Sequence, residues 1–262
     1  MAKKVVGQIK FIAGIRRAQK NAHLFEQFAH HGDPMAHRFM RLLVANEESP
    51  LAPVVNWHNE PDRACNAVKV CTWDRAGLFS KIAGSLSAAG LNILTAQIFT
   101  RTDDIVLDTF FVNDAKTGSL AGPEQRDKFE SVLNKSLTGE DIDFHGLISK
   151  QRITRPIYQG YAGERIATRI HFDNDVSELR TLLEIETEDR IGLLYTISQT
   201  LSEVDLDISA AKISTEKGAA IDTFYVREID GRKVTAPERQ RAIERKLRHA
   251  IHEMDVRQAK AA

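Results

Sequence analysis

Val70-Cys71-Thr72-Trp73-Asp74-Arg75-Ala76-Gly77-Leu78-Phe79 and Ile185-Glu186-Thr187-Glu188-Asp189-Arg190-Ile191-Gly192-Leu193-Leu194 share the core Asp-Arg-x-Gly-Leu. They lie 115 residues apart (189 − 74). A repeat at a fixed period sets the fold before any local propensity does. The register persists downstream: Leu86 meets Leu201, Leu91 meets Leu206, Ile93 meets Ile208, Ala96 meets Ala211, Ile98 meets Ile213 and Thr100 meets Thr215. One residue is then lost in a turn, and the match resumes at a shift of 114 (222 − 108). Asp108-Thr109-Phe110-Phe111-Val112 meets Asp222-Thr223-Phe224-Tyr225-Val226, Pro123-Glu124 meets Pro237-Glu238, and Leu133 meets Leu247.

Each copy reads as the same string of elements. Val68 and Val70 alternate with Lys69 and Cys71, the period of a strand. Asp74 to Gly77 turns the chain. Leu78, Ile82, Leu86 and Ala89 then recur at helical spacing and make one apolar stripe. Gly90 stands where a helix end favours a left-handed residue. A second strand is expected over Asn92–Thr100, a polar hairpin turn over Arg101–Asp104, and a third strand over Ile105–Val112. Pro123-Glu124 opens a second helix, since both residues suit a first turn. Phe129, Val132, Leu133 and Leu137 form its apolar stripe, and Ile142-Asp143-Phe144 is the candidate fourth strand. In the second copy the helical stripes are Leu193, Ile197, Leu201, Val204 and Ile243, Leu247, Ile251, Met254. Its end, Asp255 to Ala262, is polar and alanine-rich and does not read as a strand, so Arg165–Phe172 is the candidate substitute edge strand. The fold class is therefore α+β: two ferredoxin-like βαββαβ domains in tandem after an N-terminal helical segment. The expected division is 1–60 for that segment and a linker, 64–148 for the first domain, 149–164 for a linker and 165–262 for the second domain.

The bulk composition narrows function. The chain has 262 residues, enough for two modest domains that each bury a core. Lys plus Arg is 36 and Asp plus Glu is 36, so no net charge draws the chain to nucleic acid or an anionic membrane. Two cysteines, Cys65 and Cys71, do not make a disulfide scaffold. The start, Met1 to Gly7, is basic but lacks the apolar run of a secretory signal, and no segment reaches membrane-spanning length. The cytoplasm is the expected location.

Asp-Arg-x-Gly-Leu after a first strand, Leu-Asn-Ile opening the next, and Asp-Thr-Phe-x-Val together resemble the ACT domain family. More narrowly, the tandem resembles the C-terminal regulatory region of the bifunctional uridylyltransferase/uridylyl-removing enzymes, which modify the PII signalling protein in response to glutamine. His171-Phe172-Asp173-Asn174-Asp175-Val176-Ser177 and Ala36-His37-Arg38-Phe39-Met40-Arg41-Leu42-Leu43 share that resemblance. The family pattern has proline between the Arg and Gly of the turn, where this chain has Ala76 and Ile191; the turn entry is softer without it. The family's nucleotidyltransferase and metal-dependent hydrolase motifs are not visible in this sequence. The resemblance thus implies a regulatory module, not an enzyme, and no cofactor.

The turn has a physical logic for binding. Gly77 and Gly192 join a strand to a helix, let a ligand approach the backbone, and present a helix N-terminus suited to a carboxylate. Asn92, opening the second strand, both donates and accepts; its counterpart Asp207 accepts from an ammonium group. In ACT domains the effector sits between two domains, against this turn and this strand. The candidate ligand residues are accordingly Asp74, Arg75, Gly77, Leu78 and Asn92 with Asp189, Arg190, Gly192, Leu193 and Asp207. Asp108 and Asp222 read as structural carboxylates with a hydrogen-bonding partner. The resemblance favours glutamine as the amino-acid ligand, and a homodimer or a uridylyltransferase-like enzyme as the protein partner. The alternative is a ligand-free ACT-type module that only dimerises or scaffolds an enzyme.

Other groupings carry less. His30, His31, Asp33 and His37 match no closed zinc spacing, and Gly32-Asp33-Pro34 breaks any helix that would align them. The basic stretch Lys150 to Pro156 lacks interleaved aromatics apart from Tyr158 and Tyr161, which argues against RNA. Ile9 to Ala29 reads as an amphipathic helix with Ile12, Ile15, Ala18 and Ala22 on its packing face.

Overall fold

Alternation decides which side of each strand meets the helices. The computed structural model describes residues 51–98, 105–151, 166–216 and 219–261. The expected helix over Ile9–Ala29, the His30–His37 group, the hairpin turn over Arg101–Asp104 and the linker from Arg152 onward lie outside the described residues. The first copy runs β1 (Val54–Glu60), a single 3-10 turn, β2 (Cys65–Trp73), α1 (Leu78–Ala88), β3 (Leu91–Gln97), β4 (Ile105–Asp114), α2 (Pro123–Thr138) and α3 (Phe144–Ser149). The second runs β5 (Arg169–Asp173), β6 (Thr181–Glu188), α4 (Leu193–Glu203), β7 (Leu206–Lys212), the two-residue β8 (Thr215–Glu216), β9 (Ala219–Glu228) and α5 (Pro237–Ala261). Val68, Val70, Phe110 and Val112 face the helices in the first copy, and Leu183, Ile185, Phe224 and Val226 in the second.

Ile142-Asp143-Phe144 does not form the expected fourth strand. The Asp143 carboxylate accepts from the Gly146 N–H at 2.9 Å and caps α3 instead. The sheet edge that a fourth strand would fill is already taken by β1, antiparallel to β2 with Val54 opposite Cys71. Val54–Glu60 therefore belongs to the sheet and not to the segment ahead of it. In the second copy β5 pairs with β6, Arg169 opposite Glu186, at the edge expected for Arg165–Phe172. The two pairings are related by the same 115-residue shift (169 − 54 and 186 − 71). Each copy keeps the plait's layout, with its edge strand supplied from the front of the unit.

The sheet runs β1-β2-β4-β3-β7-β9-β6-β5, so the two copies meet edge to edge at β3 and β7. Both β3 and β7 bulge at equivalent points, between Ile93 and Thr95 and between Ile208 and Ala210. α1 packs on α4 across the join, flanked by α2 and α5. The result is one continuous apolar core and not the separate cores the length allows: Ile82, Phe110, Ile197 and Phe224 belong to a single buried cluster. Phe79 of the first copy stacks on Phe110 at 6.0 Å and meets Phe224 of the second edge-on at 6.5 Å. α3 lies over the join, its Phe144 ring 5.2 Å from that of Tyr195 on α4. Gly84 permits this: a Cβ there would lie 2.7 Å from Phe144 Cδ1 and 2.9 Å from Tyr195 Cδ2.

Candidate functional site

The two strand-to-helix turns share one conformation. Gly77 and Gly192 precede their helices with φ of 72° and 85°, in the left-handed region that glycine occupies without strain. The first helical N–H is used inside each turn: Leu78 donates to the Arg75 carbonyl at 3.1 Å and Leu193 to that of Arg190 at 3.0 Å.

The turns lie at the join between copies. A small cavity of about 20 Å³ is lined by Ser87, Asn92 and Ile93 from the first copy and by Asp189 to Leu194, Thr215 and Asp222 from the second. Asn92 is 4 % exposed and Asp189 is 6 % exposed, so both are committed to the join and not to solvent. The Thr215 hydroxyl donates to Asp189 Oδ2 at 3.2 Å. Asp222 is buried beside them; burial first, and the Asp189 charge second, push its carboxyl well above the usual carboxylate range, against the Ser214 N–H that lowers it. The opposite turn meets the second copy in the equivalent way, with a Cβ at Gly77 falling 3.6 Å from Ser202 Oγ, and Ser202 is the counterpart of Ser87 (202 − 87 = 115).

Residues 169–257 match the family described as an ACR9-like, ACT-like domain. The chain carries two ACT domains in tandem. It is 36 % identical over 206 residues to a bifunctional uridylyltransferase/uridylyl-removing enzyme of Azospirillum brasilense, covering 78 % of this chain and 22 % of that one. It is 34 % identical over 191 residues to the enzyme of that name in Cereibacter sphaeroides, covering 73 % and 20 %. For the Rhodospirillum rubrum enzyme of that name the values are 32 % over 214 residues, 82 % and 22 %. The chain thus spans about a fifth of the length of these relatives.

Within the ACT pair, the expected ligand residues separate into two groups. Asn92, Asp189, Arg190, Gly192 and Leu193 come together at the cavity. Gly77 and Leu78 stand at the opposite turn, Asp74 is exposed there, and Asp207 is half-exposed on the sheet, where Arg227 Nε donates to it at 2.8 Å. The arginines do structural work in the ACT frame. Arg75 donates to the Leu137 carbonyl at 2.9 Å and to Thr72 Oγ1 at 2.8 Å, tying the C-terminus of α2, and Lys81 donates to the Ser136 carbonyl at 2.8 Å. Burial pulls the Arg75 guanidinium down to about 10, with the Asp74 charge opposing. Arg190 makes the corresponding tie in the second domain, through an ion pair with Asp255 on α5.

A larger groove, about 280 Å³, lies behind the Gly192 turn among α3, α4 and α5, with Tyr195, Thr196 and Gln199 from α4 between His145 and His249. Burial pushes the Tyr195 hydroxyl up to about 12 and holds the His145 imidazole below its ordinary value. The groove is not legible from the expected strand over Ile142–Phe144, because it needs the residues that follow, Phe144–Ser149, as a helix. Cys65 and Cys71 are buried free thiols. No helix among the described residues is long and apolar enough to cross a membrane.

Proposed function

We propose that the ACT pair is an allosteric regulatory module that binds an amino acid, glutamine in preference, at the join between its domains. The observation that carries this reading is the meeting of Asn92 from one domain with the Asp189–Leu193 turn of the other around one cavity. A ligand bridging two domains favours one arrangement of them over another, which is what transmission to a partner requires. The relatives are named as uridylyltransferase/uridylyl-removing enzymes, which supports nitrogen signalling as the setting and a uridylyltransferase-like enzyme, or a second copy of this chain, as the partner. Asp74, Gly77, Leu78 and Asp207 would serve an equivalent site at the opposite turn.

Thermal unfolding against each of the twenty amino acids tests the reading, with glutamine and glutamate compared directly. A ligand that binds only the folded state raises the midpoint by mass action, by about 2.7 kcal/mol of stability at a hundredfold excess over Kd. A selective rise with glutamine is expected. No rise with any amino acid at millimolar concentration would contradict it and favour a ligand-free scaffold.

A further inference from the structure

Asp222 occupies the middle of β9 and is 1 % exposed. Its Oδ1 has no hydrogen-bond partner among the described residues, although the Ser214 N–H reaches the carboxyl group. A buried acceptor without a donor costs free energy, and a buried carboxylate beside a second carboxylate costs more. The charged groups that face it around the cavity are Asp189 and Arg190, both from the turn between β6 and α4. The Arg190 guanidinium is engaged by the Glu188 carbonyl and by Asp255. The first domain contributes only neutral groups there, Ser87 and Asn92 among them. The site therefore holds two carboxyl groups, with Asp222 Oδ1 among their oxygens and the Asn92 amide beside them as both donor and acceptor, in a space of about 20 Å³, room for one water-sized group.

A primary ammonium group has that size, carries one positive charge and has only donors. We propose that the cavity receives a primary ammonium group, which donates to Asp222 Oδ1 and is shared with Asp189. This rests on the seam reading above and deepens it, by naming the end of the ligand that enters and the residue that selects it. The source is either the α-ammonium of an amino acid, whose remainder lies along the seam, or a free small amine. Without the ligand, Asp222 keeps its proton to higher pH than an ordinary carboxyl does. The incoming cation favours the carboxylate, so binding releases a proton and tightens as pH rises.

The test is calorimetric titration of the full chain with L-glutamine, with glutaramate (glutamine without its α-ammonium) and with methylammonium chloride. Each is run in two buffers of different ionisation enthalpy, so that released protons are counted. The expected result is glutamine binding with proton release, glutaramate weaker by about tenfold or more, and Asp222→Asn weaker by a similar factor with the proton release gone. The thermal midpoint of Asp222→Asn reports folding separately, and it should not fall. Methylammonium binding that also requires Asp222 supports the same chemistry and assigns it to a free amine. Glutamine binding equally to wild type and Asp222→Asn, with no proton released, overturns the role of Asp222 and leaves the seam reading standing. Binding of neither glutamine nor methylammonium overturns both.

Discussion

Gln97 on β3 pairs with Lys212 on β7, and Lys212 is Gln97's own counterpart in the repeat (212 − 97 = 115). A residue facing its own copy places a local two-fold axis at that pair, the geometry of an isologous dimer built within one chain. The pairing also closes two sheet edges that separate domains would leave open.

A shared seam and a single apolar cluster predict one unfolding transition. Trp57 and Trp73 both lie in the first copy, whereas circular dichroism reports on the whole chain. Denaturation curves from tryptophan fluorescence and from circular dichroism should superimpose. Phe79→Ala, which removes the ring that bridges Phe110 and Phe224, should cost about 3–5 kcal/mol in both curves alike. Two separated transitions would show that the copies fold independently.

The turn glycines should rank unequally. Gly77→Ala places its Cβ in ordinary contact, 3.6 Å from Ser202 Oγ, so it bears only the left-handed penalty of about 1–2 kcal/mol. Gly192→Ala bears that penalty and also presses on Ile148 Cγ2 at 3.2 Å. Urea midpoints should therefore fall further for Gly192→Ala; equal losses would contradict the close seating of α3 on that turn.

Gly84→Ala should lose about 1–3 kcal/mol by overpacking, because its Cβ would meet the Phe144 and Tyr195 rings inside contact distance. Phe144→Leu in the same chain should recover part of the loss, and the double-mutant coupling should be favourable. Strictly additive effects would mean that α3 does not rest on Gly84.

Asp222 should make the ligand-free protein less stable as pH rises. Its folded carboxyl sits above the unfolded value, through burial first and Asp189 second, so the folded state holds the extra proton. Stability is then full below the ordinary carboxylate range and declines as pH rises towards the raised value. Asp222→Asn, which does not ionise, should flatten that decline in thermal midpoints. An unchanged pH profile would contradict the assignment.

Much of this architecture is legible in the sequence because the deciding residues are repeated. The Asp-Arg-x-Gly-Leu turns, the stripe from Leu78 to Ala89 and the Pro123 helix start all stand where their spacing places them. The edge strands are not legible in that way. Val54-Val55-Asn56-Trp57-His58 and Arg169-Ile170-His171-Phe172-Asp173 are equivalent strands with no identical residue between them. Only the core-facing pairs, Val55 with Ile170 and Trp57 with Phe172, keep their character. Ile142-Asp143-Phe144 misleads for the opposite reason: its apolar alternation suits a strand, but Asp143 is a helix cap. Asp222 reads from parity as a structural carboxylate with a hydrogen-bonding partner, and the Ser214 N–H is such a partner; the cavity beside Oδ1 is not legible, since Asn92 from the other copy helps to assemble it.

Hydrogen–deuterium exchange of the full chain, with and without saturating L-glutamine, tests the central claim most directly. Protection is expected together in the Asp189–Leu194 turn and in the Leu91–Ile93 segment, one from each domain. Protection confined to α3 and α5 around His145 and His249, or no protection in either domain, would contradict a ligand bound at the seam.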